Sequence, residues 1–340
     1  MECFDKGFEG DKVARKVIYR IKIGSAMYGL MHADSDTDYM EVFLPSPEEV
    51  LGLHPIDEVD NSTKSSGSET RNTPEDVDDK SYSYAKYLHM LLGNNPNIVE
   101  TIFARDDNVL TSSGDIQELL IHPERIVSQR ISNKFFGYAL SQKAKLNEKY
   151  NRYESLKTGL AEMEKIYEQA LGRHYAIDEI DSITLNKLLK YYKSGRQHVE
   201  RFHKGLDLDM IHDHVKSEFE NYGWRVKTDS FEKLHYDLKN GYHTIRILGE
   251  GIILLKTGHL EYPISGKLRE DILAIRAGTV ELDHLYEMFD SYKVEYDRAV
   301  EACTLRKDPD YDWANKLLVD AMQRHIIDQT DDALIRAIKH

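Results

Sequence analysis

The sequence predicts an α+β protein, with a small strand-bearing unit over residues 1–123 followed by a mostly helical unit over residues 124–340. Three observations carry that reading. Short runs of β-branched and aromatic residues, bounded by glycine and proline, fall in the first part of the chain. From about residue 124 onward apolar residues instead recur three and four apart over long stretches, the period of an amphipathic helix. At 340 residues the chain exceeds the roughly 100–200 of a usual domain, so two packed units are expected.

Taken in order, the first strand is read in VARKVIYRIKIG, residues 13–24, whose second half is dense in β-branched residues and whose glycine opens a turn. Tyr39 to Leu44 is a second β-compatible run, closed by Pro45, and the two strands should be neighbours. Residues 54–76, HPIDEVDNSTKSSGSETRNTPED, contain almost nothing apolar. Such a segment cannot bury enough surface to offset ordering entropy, so Asn61 to Thr73 is expected to be a mobile loop. A helix begins near Tyr84, carries Leu88, Leu91 and Leu92 on one face and ends at Gly93, and Pro96 opens a shorter one. Beyond these, residues 131–157, 178–204 and 268–303 read as long amphipathic helices, with GHLEYPI, residues 258–264, as a β-ribbon or turn. No repeat of fixed period appears.

Composition narrows the function. With 45 basic against 59 acidic residues the net charge is -14, which argues against broad, sequence-independent coating of a nucleic acid duplex and leaves room for a local basic groove. Cys3 and Cys303 lack metal-ligand spacing and fit reduced thiols in the cytoplasm. No window reaches the roughly 18 apolar residues of a spanning helix, and MECFDKGFEG lacks the apolar core of a signal peptide, so neither membrane nor secretion is expected.

Chemistry concentrates in KIGSAMYGLMHADSDTDYMEVFLP, residues 22–45. In an extended strand side chains alternate, so Asp36 and Asp38 fall on one side, about 7 Å apart at Cα. Two carboxylates so placed suit a divalent cation, and oxygen-only ligands favour Mg²⁺ or Mn²⁺, which complete their shell with water and substrate phosphates. A nucleoside triphosphate would supply those phosphates. The turn at Gly24 and Ser25 presents backbone N–H groups and a hydroxyl to an anion beside that cation.

GSAMYGL followed by SDTDYMEVFLP resembles the DNA polymerase beta nucleotidyltransferase superfamily, and the YG after the GS is similar to its RNA-repair-pathway polymerase-beta-like (RlaP-like) family of bacteria and phages. SYSYAKYLHMLLGNNPNIVETIF, YDLKNGYHTIRIL, TGHLEYPI with ILAIRAG, and DPDYDWANKLL resemble further segments of that family in the same order, between residues 20 and 320. The resemblance implies a mixed-sheet catalytic domain and a helical domain that completes the cleft. It also implies that Gly24 and Ser25 hold the triphosphate and that Asp36 and Asp38 bind Mg²⁺ or Mn²⁺. A third carboxylate is implied from a neighbouring strand: Asp78 is the favoured position, with Asp76, Asp79 and Glu100 as alternatives.

YDLKNGYHTIRIL, if helical, sets Lys239, His243 and Arg246 at i, i+4 and i+7, a single stripe. Three aspartates and a triphosphate carry more negative charge than two divalent ions neutralise, so this stripe is expected at the mouth of the metal site, with Lys86 and Arg276 as further cations. The activity implied is transfer of a nucleoside monophosphate from an NTP to an acceptor hydroxyl, with an RNA or tRNA end as acceptor. A protein or small-molecule acceptor, or a non-catalytic NTP-binding protein, are the competing readings.

Overall fold

The structure, a computed structural model, describes residues 15–31, 37–53, 55–63, 77–169, 212–213, 216–221 and 233–339. The helix expected over residues 178–204, Asp36, Asp76 and most of the expected loop lie outside them.

KVIYRIKI forms β1 (Lys16–Ile23), which buries Ile18, Tyr19 and Ile21. It pairs antiparallel with β2 (Thr37–Leu44), whose Met40, Val42, Phe43 and Leu44 are also buried. β2 in turn pairs parallel with β4 (Val77–Ser83), reached through helix α2 (Pro47–Leu51) and the short β3 (Glu58–Asp60). With β5 (Val109–Ser112) on the far side of β1, the sheet runs β3-β4-β2-β1-β5 and is mixed. The first three residues of the expected loop are held to β4: Asn61 N donates to the Asp79 carbonyl at 2.8 Å and Thr63 N to that of Val77 at 2.9 Å.

Between β1 and β2 the chain makes the one-turn helix α1 (Ser25–Tyr28). Ser83 caps α3 (Tyr84–Leu92) by accepting from Lys86 N, and α3 buries Tyr84, Tyr87, Leu88, Leu91 and Leu92. The NNP stretch then has a concrete task. Asn94, fully buried, donates to the carbonyls of Leu91 and Ile126, while Asn95 caps α4 (Pro96–Val99). A tight turn over Glu100–Phe103 follows, and then α5 (Gly114–Ile121).

Where long helices are expected, the chain is broken. Residues 131–157 are shared between α6 (Ile131–Ala144) and α7 (Glu148–Gln169). YDLKNGYHTIRIL lies in α8 (Leu238–Thr257), which Asp237 caps by accepting from Asn240 N at 3.1 Å. GHLEYPI is a turn without a strand. Residues 268–303 are divided between α9 (Gly266–Arg276) and α10 (Leu282–Glu301), because Gly278 takes a positive φ of 67° that ends α9. The last helix is α11 (Tyr311–Lys339).

Two compact units emerge, and they interleave along the sequence. The first comprises Met1–Tyr138, Arg246–Glu270 and Ser291–His340; the second comprises Ala139–Ile245 and Asp271–Asp290. Within the first, α11 packs on β2, α3 and α5. Asp115 of α5 fastens it there, taking Lys16 of β1 at 2.8 Å and Arg324 of α11 at 2.9 Å. Burial works against ionisation of Asp115, yet these two cations hold its carboxyl below the usual range. Within the second, Tyr236 donates to the Val280 carbonyl at 2.9 Å and its ring lies so close to Gly241 that an added Cβ would come within 2.9 Å. No helix among the described residues is long and apolar enough to cross a membrane.

Candidate active site

The site is built where β1 ends. Gly24 adopts φ 64° and ψ -139°, a conformation that an L side chain resists, and a Cβ there would lie 2.6 Å from Asp38 Oδ2. Glycine is therefore required twice over, by the backbone and by the carboxylate that fills the space a side chain would take. Gly24→Ala is expected to cost about 1–3 kcal/mol through the strained backbone and to displace the Asp38 carboxylate. Thermal denaturation, together with Mn²⁺ titration, checks both.

Register places the acids. Asp38 stands opposite Ile23 of β1 and in register with Asp78 of the parallel β4. Residues in register on parallel strands share a face, and adjacent strands lie about 4.8 Å apart, a separation that one cation can bridge. Asp38 is half-buried and Asp78 exposed. Lys80 follows Asp78 on the same face and is exposed. Gly24, Ser25, Asp38 and Asp78 are thus brought to one end of the sheet.

The alternatives for the third carboxylate separate on the same geometry. Asp79 faces the other side of the sheet, where Arg20 donates to it at 2.8 Å and to Glu41 at 3.2 Å. Glu100 is 3% exposed and takes a hydrogen bond from the Tyr28 hydroxyl at 2.6 Å. Among the described residues no group of three or more His, Cys, Asp or Glu is arranged to hold a metal, and Asp36 is not among them.

The basic stripe does not form as expected. Lys239 is exposed and His243 half-buried, both in the second unit, whereas Arg246 belongs to the first and is 1% exposed. Its guanidinium donates to Glu100 at 2.6 Å and Glu250 at 2.7 Å and lies 4.2 Å from the centre of the Tyr28 ring. The expectation of a phosphate-facing Arg246 is corrected for a physical reason. Two buried carboxylates need a buried cation, and this guanidinium is committed to them. Sequence reasoning missed Glu250 altogether, although its position four residues after Arg246 was a usable signal of pairing.

One guanidinium facing two carboxylates leaves the cluster short of positive charge. Tyrosine hydroxyls make up the donors: Tyr28 donates to Glu100, and Tyr262 donates to Glu250 at 3.0 Å. Burial would lower the pKa of Arg246, but Glu250, Tyr28 and Glu100 together carry it well above the usual value. Burial, opposed by Arg246 and reinforced by Glu100, pushes Glu250 up to about 7 from 4.5. A raised carboxyl pKa contributes stability that is full below pH 4.5 and is lost as pH rises through about 7. Glu250→Gln mimics the protonated acid, so its thermal midpoint is expected to fall less than that of the unaltered protein across that window. Parallel melting curves over the same pH range read the difference.

No solved structure matches the chain. A phage T4 protein described as an uncharacterized 38.9 kDa protein in the nrdC-mobD intergenic region is 22% identical over 155 residues, which is 45% of this chain and 46% of that protein. The chain thus spans about half the length of the curated relative it matches. Residues 7–166, which hold the sheet, the Gly-Ser turn and the aspartates, match the RNA repair pathway DNA polymerase beta family, RlaP, whose fold is of nucleotidyltransferase type.

Proposed function

We propose that this chain is a divalent-metal-dependent nucleotidyltransferase that moves a nucleoside monophosphate from an NTP to the hydroxyl of an RNA or tRNA end. The observation that carries the reading is the in-register pair Asp38 and Asp78 on one face, beside the Gly24–Ser25 turn. In this reading residues 1–123, with residues 246–270 of the same unit, supply the nucleotide chemistry, and other helical residues of 124–340 supply recognition of the acceptor.

The donor set fits a hard divalent cation, being oxygen-only, carried by adjacent strands and open to solvent at Asp78. Asp38 and Asp78, with Asp36 contributing from just before β2, would hold Mg²⁺ or Mn²⁺. When bound, such an ion supplies positive charge to the triphosphate and acidifies the acceptor hydroxyl. The chain's own groups do the rest. Ser25 and the N–H groups of its turn hold the β- and γ-phosphates so that the α-phosphorus faces the acceptor. Asp78 receives the hydroxyl proton as the acceptor oxygen bonds to the α-phosphorus. The bond from that phosphorus to the β-bridging oxygen breaks, and pyrophosphate leaves.

Incubation with each α-labelled NTP and Mg²⁺ or Mn²⁺, with tRNA, with single-stranded RNA and with neither, tests the reading. Label on an RNA end is the expected result. Label on the protein itself would move the acceptor to a protein hydroxyl, and no label with any NTP would end the proposal.

A further inference from the structure

The helix that carries Ser25 is a single turn, Ser25–Tyr28, closed by Tyr28 N to the Gly24 carbonyl at 3.1 Å and Leu30 N to that of Ser25 at 2.8 Å. Helices shorter than about 12 residues are marginal in isolation, so its conformation is imposed by what surrounds it. Its entry is fixed by β1 and the close approach of Gly24 to Asp38. Its exit is fixed by chain more than two hundred residues away: Ile264 N donates to the Tyr28 carbonyl at 3.1 Å, and Arg269 donates to the Gly29 carbonyl at 2.8 Å. Gly29 takes φ 68°, and a Cβ there would collide with Pro263. Directly behind, the Tyr28 ring lies under Arg246.

We propose that Arg269 is a positioning residue for the nucleotide, holding the Gly24–Ser25 turn in its phosphate-binding shape through the carbonyl of Gly29. The inference rests on the nucleotidyl-transfer reading above. The buried Arg246 cluster fixes the Tyr28 side chain and Ile264 N holds the Tyr28 carbonyl, while the next residue, Gly29, carries a glycine's conformational freedom. Arg269, half-buried in the first turn of α9, closes that freedom by capping the Gly29 carbonyl, which lies beyond the last hydrogen bond of α1. Neither the Gly-Ser turn nor the paired aspartates supplies an equivalent restraint, since both act at the entry.

The test uses the full chain carrying Arg269→Ala or Arg269→Lys, with three measurements: amide exchange at Tyr28, Gly29 and Leu30, equilibrium binding of a non-hydrolysable Mg-ATP analogue, and initial rates against NTP and acceptor. Arg269→Ala should speed exchange at those amides and raise the analogue Kd and the NTP KM about tenfold. The acceptor KM should hold and kcat should fall less than the NTP KM rises. Arg269→Lys keeps a donor and should recover part of the loss. Unchanged exchange, or faster exchange with unchanged nucleotide affinity, overturns the inference while leaving the transfer reading intact. Absence of analogue binding by the unaltered protein defeats the transfer reading, and with it the inference.

Discussion

Asp38→Asn and Asp78→Asn are each expected to slow nucleotidyl transfer by at least about 100-fold, the usual consequence of removing one preorganised electrostatic contact. The amide preserves size and removes the charge that a divalent cation requires. Asp78 is exposed, so its substitution should leave stability within about 0.5 kcal/mol. Asp38→Asn should move stability little more, because the space at Gly24 is still filled by a side chain of the same size. Label-transfer rates and thermal midpoints measured on the same preparations separate the two effects. A doubly substituted protein that transferred at the unaltered rate would remove both residues from the site.

Arg246→Ala is expected to destabilise the protein by about 3–5 kcal/mol, the range for breaking a buried ion pair by removing one partner. The cause is the uncompensated burial of Glu100 and Glu250, both of which Arg246 reaches within 2.7 Å. Replacing all three by neutral groups, as Arg246→Met with Glu100→Gln and Glu250→Gln, should recover much of that loss because no buried charge is left stranded. Urea midpoints for the single and triple variants decide the matter. A single variant within about 1 kcal/mol of the unaltered protein would show that the two carboxyls are accommodated without Arg246, by taking up protons or water, and that the cation is not what keeps them buried.

The strands around the candidate site were legible in the sequence because strands have a short, fixed period: β1 and β2 fall on the runs bounded by Gly24 and Pro45. The acidic run before SYSYAKY leaves Asp76, Asp78 and Asp79 open in the sequence, and only the parallel pairing of β4 with β2 sets Asp78 in register with Asp38 while Asp79 turns to Arg20. The NNP and Gly93 signals likewise marked a helix end and a new start, because they act through local backbone hydrogen bonds. Arg246 was illegible for the opposite reason. Helical spacing put it in line with Lys239 and His243, and a stripe says nothing about where along its length the helix goes under cover. Its partner Glu100 lies 146 residues away, and no local pattern announces it. The long helices failed in a related way: continuous apolar periodicity ran through Ala277–Glu281, and only the handedness of the backbone at Gly278 broke it.

The interleaving of the first unit also bears on how the chain is made. Its sheet is complete by Ser112, yet α11, which covers β2, α3 and α5 and is fastened through Asp115, starts only at Tyr311. At a synthesis rate of about 5–20 residues per second, the sheet waits on the order of 10–40 s for its cover. During that interval apolar surface around Tyr84 and Leu119 faces solvent in the nascent chain. The unit therefore depends on sequence-distant contacts, among them Asp115 with Arg324, for the cover of its apolar surface.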